Sequence, residues 1–317
     1  MIDSHNFFEI RREDSGVADN QGNKVGKEYY LDIPVKSEPF FAKGMNNTDW
    51  GMKNRLSRMF NPKSGNTVML AFDHGYIMGS TAGIERLDVV IDPLVPYVDV
   101  LMGTRGAIRS CISPSTDKAI CLRSTYDSSV LYENMSVGNG IGVDIEDAIR
   151  MNVTAIASQA FIGDKGEAKS QETLCRLVDA GNRYGIPVLG VTAVGKEMVR
   201  DSKYFLLATR ILAELGASVI KSYYCNDFEK VVAACPVPIL IAGGKKVPEA
   251  EALTMAYQAI QSGARGVDMG RNIFQSTNPK AMTLAIGKVV HENFTDGEAY
   301  KYFLEINSHD GRQDHSS

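Results

Sequence analysis

Lys221 lies inside the run Ser218–Tyr224, which reads SVIKSYY. A lysine among Val219, Ile220 and two tyrosines is not placed for easy hydration. Two readings are open. It is a strand-end residue whose stem covers apolar surface while its head reaches water, or it is a buried amine. Burial disfavours the charged form of an amine, and a neutral amine adds to carbonyl carbons to form imines. Lys196, in the segment GVTAVGK, is a second cation that would push the same way, unless it is simply solvated.

Other candidates fall at comparable places in the chain. Asp73, in AFDHG, is a carboxylate able to carry protons during imine formation and collapse, or else an acceptor that holds the next loop. His74 is adjacent and faces elsewhere if the strand is regular to its end. It reads more simply as a loop histidine and stays a candidate. The turns Gly243-Gly244-Lys245-Lys246 and Gly270-Arg271 each pair glycine with a basic residue. Glycine lets backbone N–H groups approach an anion, and arginine grips phosphate through two parallel hydrogen bonds. The expected phosphate set is therefore Gly243, Gly244, Lys245, Gly270 and Arg271, with Lys246 a bystander.

These residues must be positioned by repeating elements. Eight short apolar runs recur: Val68–Asp73, Val98–Met102, Ala119–Arg123, Ala155–Ala160, Pro187–Thr192, Ser218–Tyr223, Pro238–Ala242 and Gly266–Gly270. Their apolar residues run together, as in strands buried on both faces of a parallel sheet. Helical periods separate them. Phe205, Ala208, Leu212 and Leu215 share one face before Gly216, and Leu253, Ala256 and Ile260 do so before Gly263. Asp144 and Asp201 stand where helix N-caps belong. A further helix is expected from Thr48 to Phe60, stopped by Asn61-Pro62.

Eight strand–helix alternations predict a single (β/α)₈ TIM barrel of the α/β class with an N-terminal extension. The candidates then gather at strand C-termini, where such barrels build active sites, with phosphate held after strands seven and eight. An open doubly wound sheet is the alternative, but no G-x-G-x-x-G follows the first strand. The expected division is an N-terminal arm over 1–47, a catalytic barrel over 48–300 and a polar C-terminal tail over 301–317. Residues 124–142, rich in Ser, Tyr, Gly and Asn, are expected over the active face as a lid or specificity loop.

The chain has 317 residues, of which 44% are hydrophobic and 23% charged, matching a soluble globular protein with a large core. Net charge is −4, so no global field favours nucleic acid or anionic membranes. No run approaches the roughly 20 apolar residues of a spanning helix, and MIDSHNFFEIRRED has no secretory h-region. The five cysteines are odd in number and lack C-x-x-C spacing. They read as small buried residues in a reducing cytoplasm, not as a disulfide framework or nucleophiles. Of five histidines only His74 and His291 fall in the expected fold, too few for an imidazole-built metal site.

Lys221 in IKSYY, Asp73 in AFDHGY, AGGKK and GVDMGRNIF together resemble the class I aldolases of the DeoC/FbaB type. DWGMKNRLSRMFNPKSGNTVMLAFDHGY, DVLMGTRGAIRS, VTAVGKEMVRDSKYF and CPVPILIAGGKK are similar to a thiolase branch of that family. The resemblance runs from about Thr48 to Asn293. It implies that Lys221 is the Schiff-base lysine and that Gly243, Gly244, Gly270 and Arg271 form the phosphate turns. It also implies a cytoplasmic homo-oligomer with no bound cofactor, whose substrates are a phosphorylated ketone and coenzyme A. In that branch an acetyl group passes to coenzyme A and dihydroxyacetone phosphate remains, during processing of a phosphorylated quorum-sensing signal. Related fructose-bisphosphate aldolases carry a proton-handling tyrosine near the end of strand five, where Val194 stands here. Valine transfers no proton, which favours the thiolase over an aldolase acting on a ketose phosphate. A barrel that only binds sugar phosphate is the third reading, opposed by the intact lysine and turns.

Overall fold

The apolar runs form strands because both of their faces are covered. In the computed structural model, which describes residues 30–34, 39–194 and 199–313, the eight runs become eight parallel strands. They are β1 (Thr67–Ala71), β2 (Val100–Thr104), β3 (Ala119–Arg123) and β4 (Ala155–Ala160). They continue as β5 (Val188–Thr192), β6 (Val219–Tyr223), β7 (Ile239–Ala242) and β8 (Gly266–Met269). Each strand bonds to its neighbours in sequence, and β8 closes on β1 with Thr67 opposite Gly266. The expected (β/α)₈ barrel is what forms.

Every residue of β1, β3, β4, β5, β7 and β8 is buried. Strand β2 departs only at its last residue, Thr104, whereas β6 departs within its length, where Lys221 as well as Tyr223 is only partly buried. The irregularity falls on the residue that the sequence singles out.

The helices form where their period predicts. Helix Ser202–Glu214 buries Phe205, Ala208 and Leu212, and its N-cap Asp201 accepts from the Tyr204 N–H at 2.8 Å. Helix Trp50–Met59 is capped by Asp49 and buries Met52, Leu56 and Met59. Asp144 does stand at an N-cap position, but its side chain makes no capping bond. His291 joins Ser64 at 2.8 Å and Asp99 at 3.0 Å. Both partners precede strands β1 and β2, so His291 lies toward the N-terminal rim, remote from any site at the other end.

Two regions differ from expectation. Residues 301–313 are not a tail but the continuation of helix Asp296–Gln313. Ala299 and Phe303, four residues apart, are buried in the core and anchor it. Polar composition hid this, since the burying face is narrow. Of the five cysteines, Cys121, Cys225 and Cys235 are buried, but Cys111 and Cys175 are half-exposed. The expected arm over 1–47 lies mostly outside the described residues. Within it, Ala42 and Met45 join the core. No helix among the described residues is long and apolar enough to cross a membrane.

The buried face of the last helix makes a test. Phe303→Ala should cost about 3–5 kcal/mol in urea unfolding. Leu304→Ala, at a residue 46% exposed, should change stability by less than about 0.5 kcal/mol.

Candidate active site

The C-terminal strand ends open on one pocket. Lys221 from β6, Asp268 from β8 and Asp73 after β1 line it, with Arg123 from β3 and Gln159 from β4. The glycine turns after β7 and β8 complete the rim through Gly243, Gly244, Gly270 and Arg271. The barrel thus brings together residues up to 198 positions apart in sequence.

Lys221 does not reach into bulk water. Its side chain is 12% exposed, and Nζ lies 2.9 Å from Oδ2 of Asp268, whose side chain is fully buried. On another side the amine meets the Met102 thioether at 3.8 Å. Apart from that amine, neither carboxylate oxygen of Asp268 has a hydrogen-bond donor among the described residues. Burial pushes the Asp268 carboxyl above the ordinary carboxylate range. The charge of Lys221 opposes that shift without cancelling it, and Asp73 adds to it.

Asp73 is differently placed. Burial would raise its pKa too, but the Arg123 guanidinium and, less strongly, Lys221 hold it below its usual value. Arg123 Nε donates to Asp73 Oδ2 at 2.7 Å, and Nη2 lies 2.6 Å from the same oxygen. The pocket therefore holds two buried carboxyls whose surroundings push them in opposite directions, the arrangement that separates an acid from a fixed anion.

A network extends from this pair into the 124–142 loop. Arg123 lies 5.6 Å from the Tyr76 ring centroid, and the Tyr76 hydroxyl donates to Asp127 through a short hydrogen bond. Asn139 Nδ2 donates to Asp127 Oδ1 at 2.6 Å, and the Val130 N–H donates to Ile77 O at 2.9 Å. The loop is not wholly irregular. It contains a two-stranded antiparallel ribbon, Thr125–Tyr126 with Gly140–Ile141, and places Met135 on the pocket wall.

His74 lines the pocket, with Nε2 2.8 Å from Thr81 Oγ1 and its ring stacked on Phe274. Burial, followed by the nearby Arg271 and Lys221 charges, lowers its pKa despite Asp73, which favours a neutral imidazole. Val194 lines the pocket after β5. Lys196 falls outside the described residues.

The two turns are held to each other by Asn272. Its Nδ2 donates to Gly243 O at 2.6 Å and its Oδ1 accepts from the Val247 N–H at 2.9 Å. A Cβ on Gly270 would stand 2.2 Å from the Ala71 carbonyl oxygen, so only glycine fits there. Arg271 has no carboxylate partner among the described residues. Lys245 is exposed and does not line the pocket, and Lys246 is paired with Glu249 at 3.1 Å.

Sequence reasoning missed four contributors: Asp268, Arg123, Gln159 and Arg200. Asp268 gave the same signal as Lys221, a charge inside an apolar run. Arg200 is exposed at the pocket edge, its guanidinium 4.4 Å from the Tyr223 ring centroid. Nothing in its local pattern marked it. Cys225 makes no nucleophile here, since burial pushes its thiol up to about 11. No group of three or more His, Cys, Asp or Glu among the described residues could hold a metal ion.

A barrel with a lysine on β6 and paired glycine turns after β7 and β8 is an aldolase-type site, and the sequence profile agrees. The chain belongs to the DeoC/LacD family of aldolases, whose profile matches residues 67–276. It is 54% identical over 289 residues to the 3-hydroxy-5-phosphonooxypentane-2,4-dione thiolase of Photorhabdus laumondii, covering 91% of this chain and 99% of that one. It is 52% identical over 289 residues to the thiolase of the same name in Escherichia coli K12, with the same coverage. Among solved structures, an archaeal fructose 1,6-bisphosphate aldolase superposes with a TM-score of 0.68 at 24% identity, over 76% of this chain and 99% of that one. A fructose-bisphosphate aldolase from Slackia heliotrinireducens gives 0.69 at 18% identity, over 81% and 92%. These structures share the fold.

The Asp73–Arg123 pair makes a stability prediction. Because the folded pKa of Asp73 is lowered, its contribution is present above the ordinary carboxylate value of 3.8 and is lost as pH falls through the folded value. Arg123→Met strands a buried carboxylate and should cost about 3–5 kcal/mol at neutral pH. Denaturant unfolding should show that loss shrinking as the solution is acidified, because protonation then neutralises Asp73.

Proposed function

We propose that this protein is an enzyme, an acetyl-transferring thiolase. Its substrate is 3-hydroxy-5-phosphonooxypentane-2,4-dione, its acceptor is coenzyme A, and its products are dihydroxyacetone phosphate and acetyl-coenzyme A. The observation that carries this reading is Lys221: a nearly enclosed amine facing two glycine turns, in a chain more than half identical to thiolases of that name.

In this reading the substrate phosphate sits on Gly243, Gly244, Gly270 and Arg271. Lys221 forms an imine with the C4 carbonyl, releasing water. The thiolate of coenzyme A adds to C2, whose oxygen takes up the carbonyl electron pair. Collapse of that adduct restores the C2 carbonyl as the thioester and breaks C2–C3. The bond's electrons pass into the imine, leaving an enamine on Lys221. Protonation at C3 and hydrolysis then release dihydroxyacetone phosphate.

No step removes a proton from a substrate hydroxyl at β5, which suits Val194 there. A retro-aldol cleavage requires such a proton transfer, so an aldolase acting on a ketose phosphate is the weaker reading. Asp73, ion-paired, holds Arg123 in place, and His74 serves as a neutral wall. Exposed Lys245 adds positive charge outside the pocket proper. Coenzyme A is a co-substrate, with no resident cofactor. By the same reading the protein is a cytoplasmic homo-oligomer that processes phosphorylated autoinducer-2, with no role for nucleic acid or membrane.

Mixing the phosphorylated dione with enzyme and coenzyme A should release acetyl-coenzyme A, detected by mass spectrometry. Omitting coenzyme A should stop cleavage, whereas cleavage without it would identify an aldolase. Lys221→Ala should abolish turnover. Arg271→Ala should weaken kcat/KM by about 1.5–3 kcal/mol, the worth of charge-assisted hydrogen bonds to phosphate.

A further inference from the structure

We propose that Asp268 is a catalytic residue: it takes the proton from the Lys221 ammonium before the amine attacks, and returns it to the departing hydroxyl of the carbinolamine. This deepens the imine chemistry above and rests on it.

Geometry selects Asp268 over Asp73. Asp268 Oδ2 is 2.9 Å from Nζ. Asp73 is engaged instead by two nitrogens of Arg123, at 2.7 and 2.6 Å. A carboxylate chelated by a buried guanidinium resists protonation, because the pair would be left with an uncompensated cation. Asp268 is paired instead with the Lys221 ammonium, the group whose proton is to move. Its Oδ1 has no hydrogen-bond partner among the described residues, and Oδ2 faces the Lys221 ammonium. No arginine or backbone donor among those residues fixes it in the charged form, so a proton can pass within the pair without stranding a third charge. The neutral acid is stabilised in the same direction by burial and by the Asp73 charge. The titratable and charged groups that face it are Lys221 from β6, Asp73 after β1, and Arg123 and Cys121 from β3. Of these only Lys221 exchanges a proton with it in the proposed cycle.

The steps balance. A proton passes from the Lys221 ammonium to Asp268, giving a neutral amine and a neutral acid. The amine nitrogen bonds to the ketone carbon, and the proton freed from nitrogen moves to the former carbonyl oxygen. The carbon–oxygen bond then breaks, and the hydroxyl leaves as water with the proton from Asp268. The iminium nitrogen is left facing an ionised carboxylate. The cation is compensated at the beginning and at the end, and the buried charge disappears only while the amine is the nucleophile.

The test is the rate of borohydride-trapped adduct formation between the full-length enzyme and dihydroxyacetone phosphate, read by intact mass across pH. Asp268→Asn should trap at least about 100-fold more slowly at neutral pH, the scale of general acid–base catalysis. Its rate should recover as pH rises and hydroxide takes over the deprotonation, while dihydroxyacetone phosphate still raises its melting temperature. Asp268→Glu should regain part of the rate. Asp268→Ser, neutral and smaller, replaces the asparagine variant if that chain does not fold. Trapping as fast as wild type at every pH overturns the proposal. So does loss of the ligand-induced melting shift along with trapping, which would make Asp268 a structural group. If the wild-type enzyme itself traps no adduct, the imine reading falls and takes this proposal with it.

Discussion

The contact between Lys221 and Asp268 is the constraint around which the site is arranged. Two opposite charges meet inside the barrel, one fully buried and one nearly so. Desolvating both is expensive, and an apolar pair of similar volume would commonly be no less stable. Neither charge can be removed singly without stranding the other. The amine can be reactive only if its proton has somewhere close to go. A carboxyl poised above its usual range by burial provides that place without solvent.

The barrel makes such a contact possible. Strand β7 separates β6 from β8, and its register sets Leu240 beside Lys221 and Ala242 beside Asp268. Both charged side chains project inward at neighbouring levels. The strand between them runs straight into Gly243 and Gly244, which line the same pocket as the pair. Asn272 locks the two turns by bonding Gly243 O and the Val247 N–H. The two glycine turns and the amine therefore line a single pocket. The 124–142 loop is tied to the segment after β1 through Tyr76 and Asp127. Loop chemistry distinguishes substrates in such barrels while the strand ends keep the reaction.

Much of this was legible in the residues. All eight strands were readable because burial on both faces leaves continuous apolar runs. Lys221 and the glycine turns were readable because a charge inside a strand and glycine beside a basic residue are local signals. Asp268 carried the same kind of signal yet was passed over, since the Gly-Arg turn beside it drew the assignment of that strand end to phosphate. The Arg123–Asp73 pair was hidden for another reason: a carboxylate's partner across the barrel is set by closure, not by spacing. Lys245 looked like a phosphate ligand by adjacency, but the turn points it outward. The helix over residues 301–313 was obscured because Ala299 and Phe303 are too sparse an apolar face to stand out against polar neighbours.

The central claim is that one amine and two turns hold the same ligand. A crystal structure of the enzyme after borohydride reduction with dihydroxyacetone phosphate tests it most directly. The account predicts electron density continuous from Lys221 Nζ to the ketone carbon, with the phosphate against Gly243, Gly244, Gly270 and Arg271. An adduct on a different lysine, or a phosphate seated away from those two turns, would contradict it.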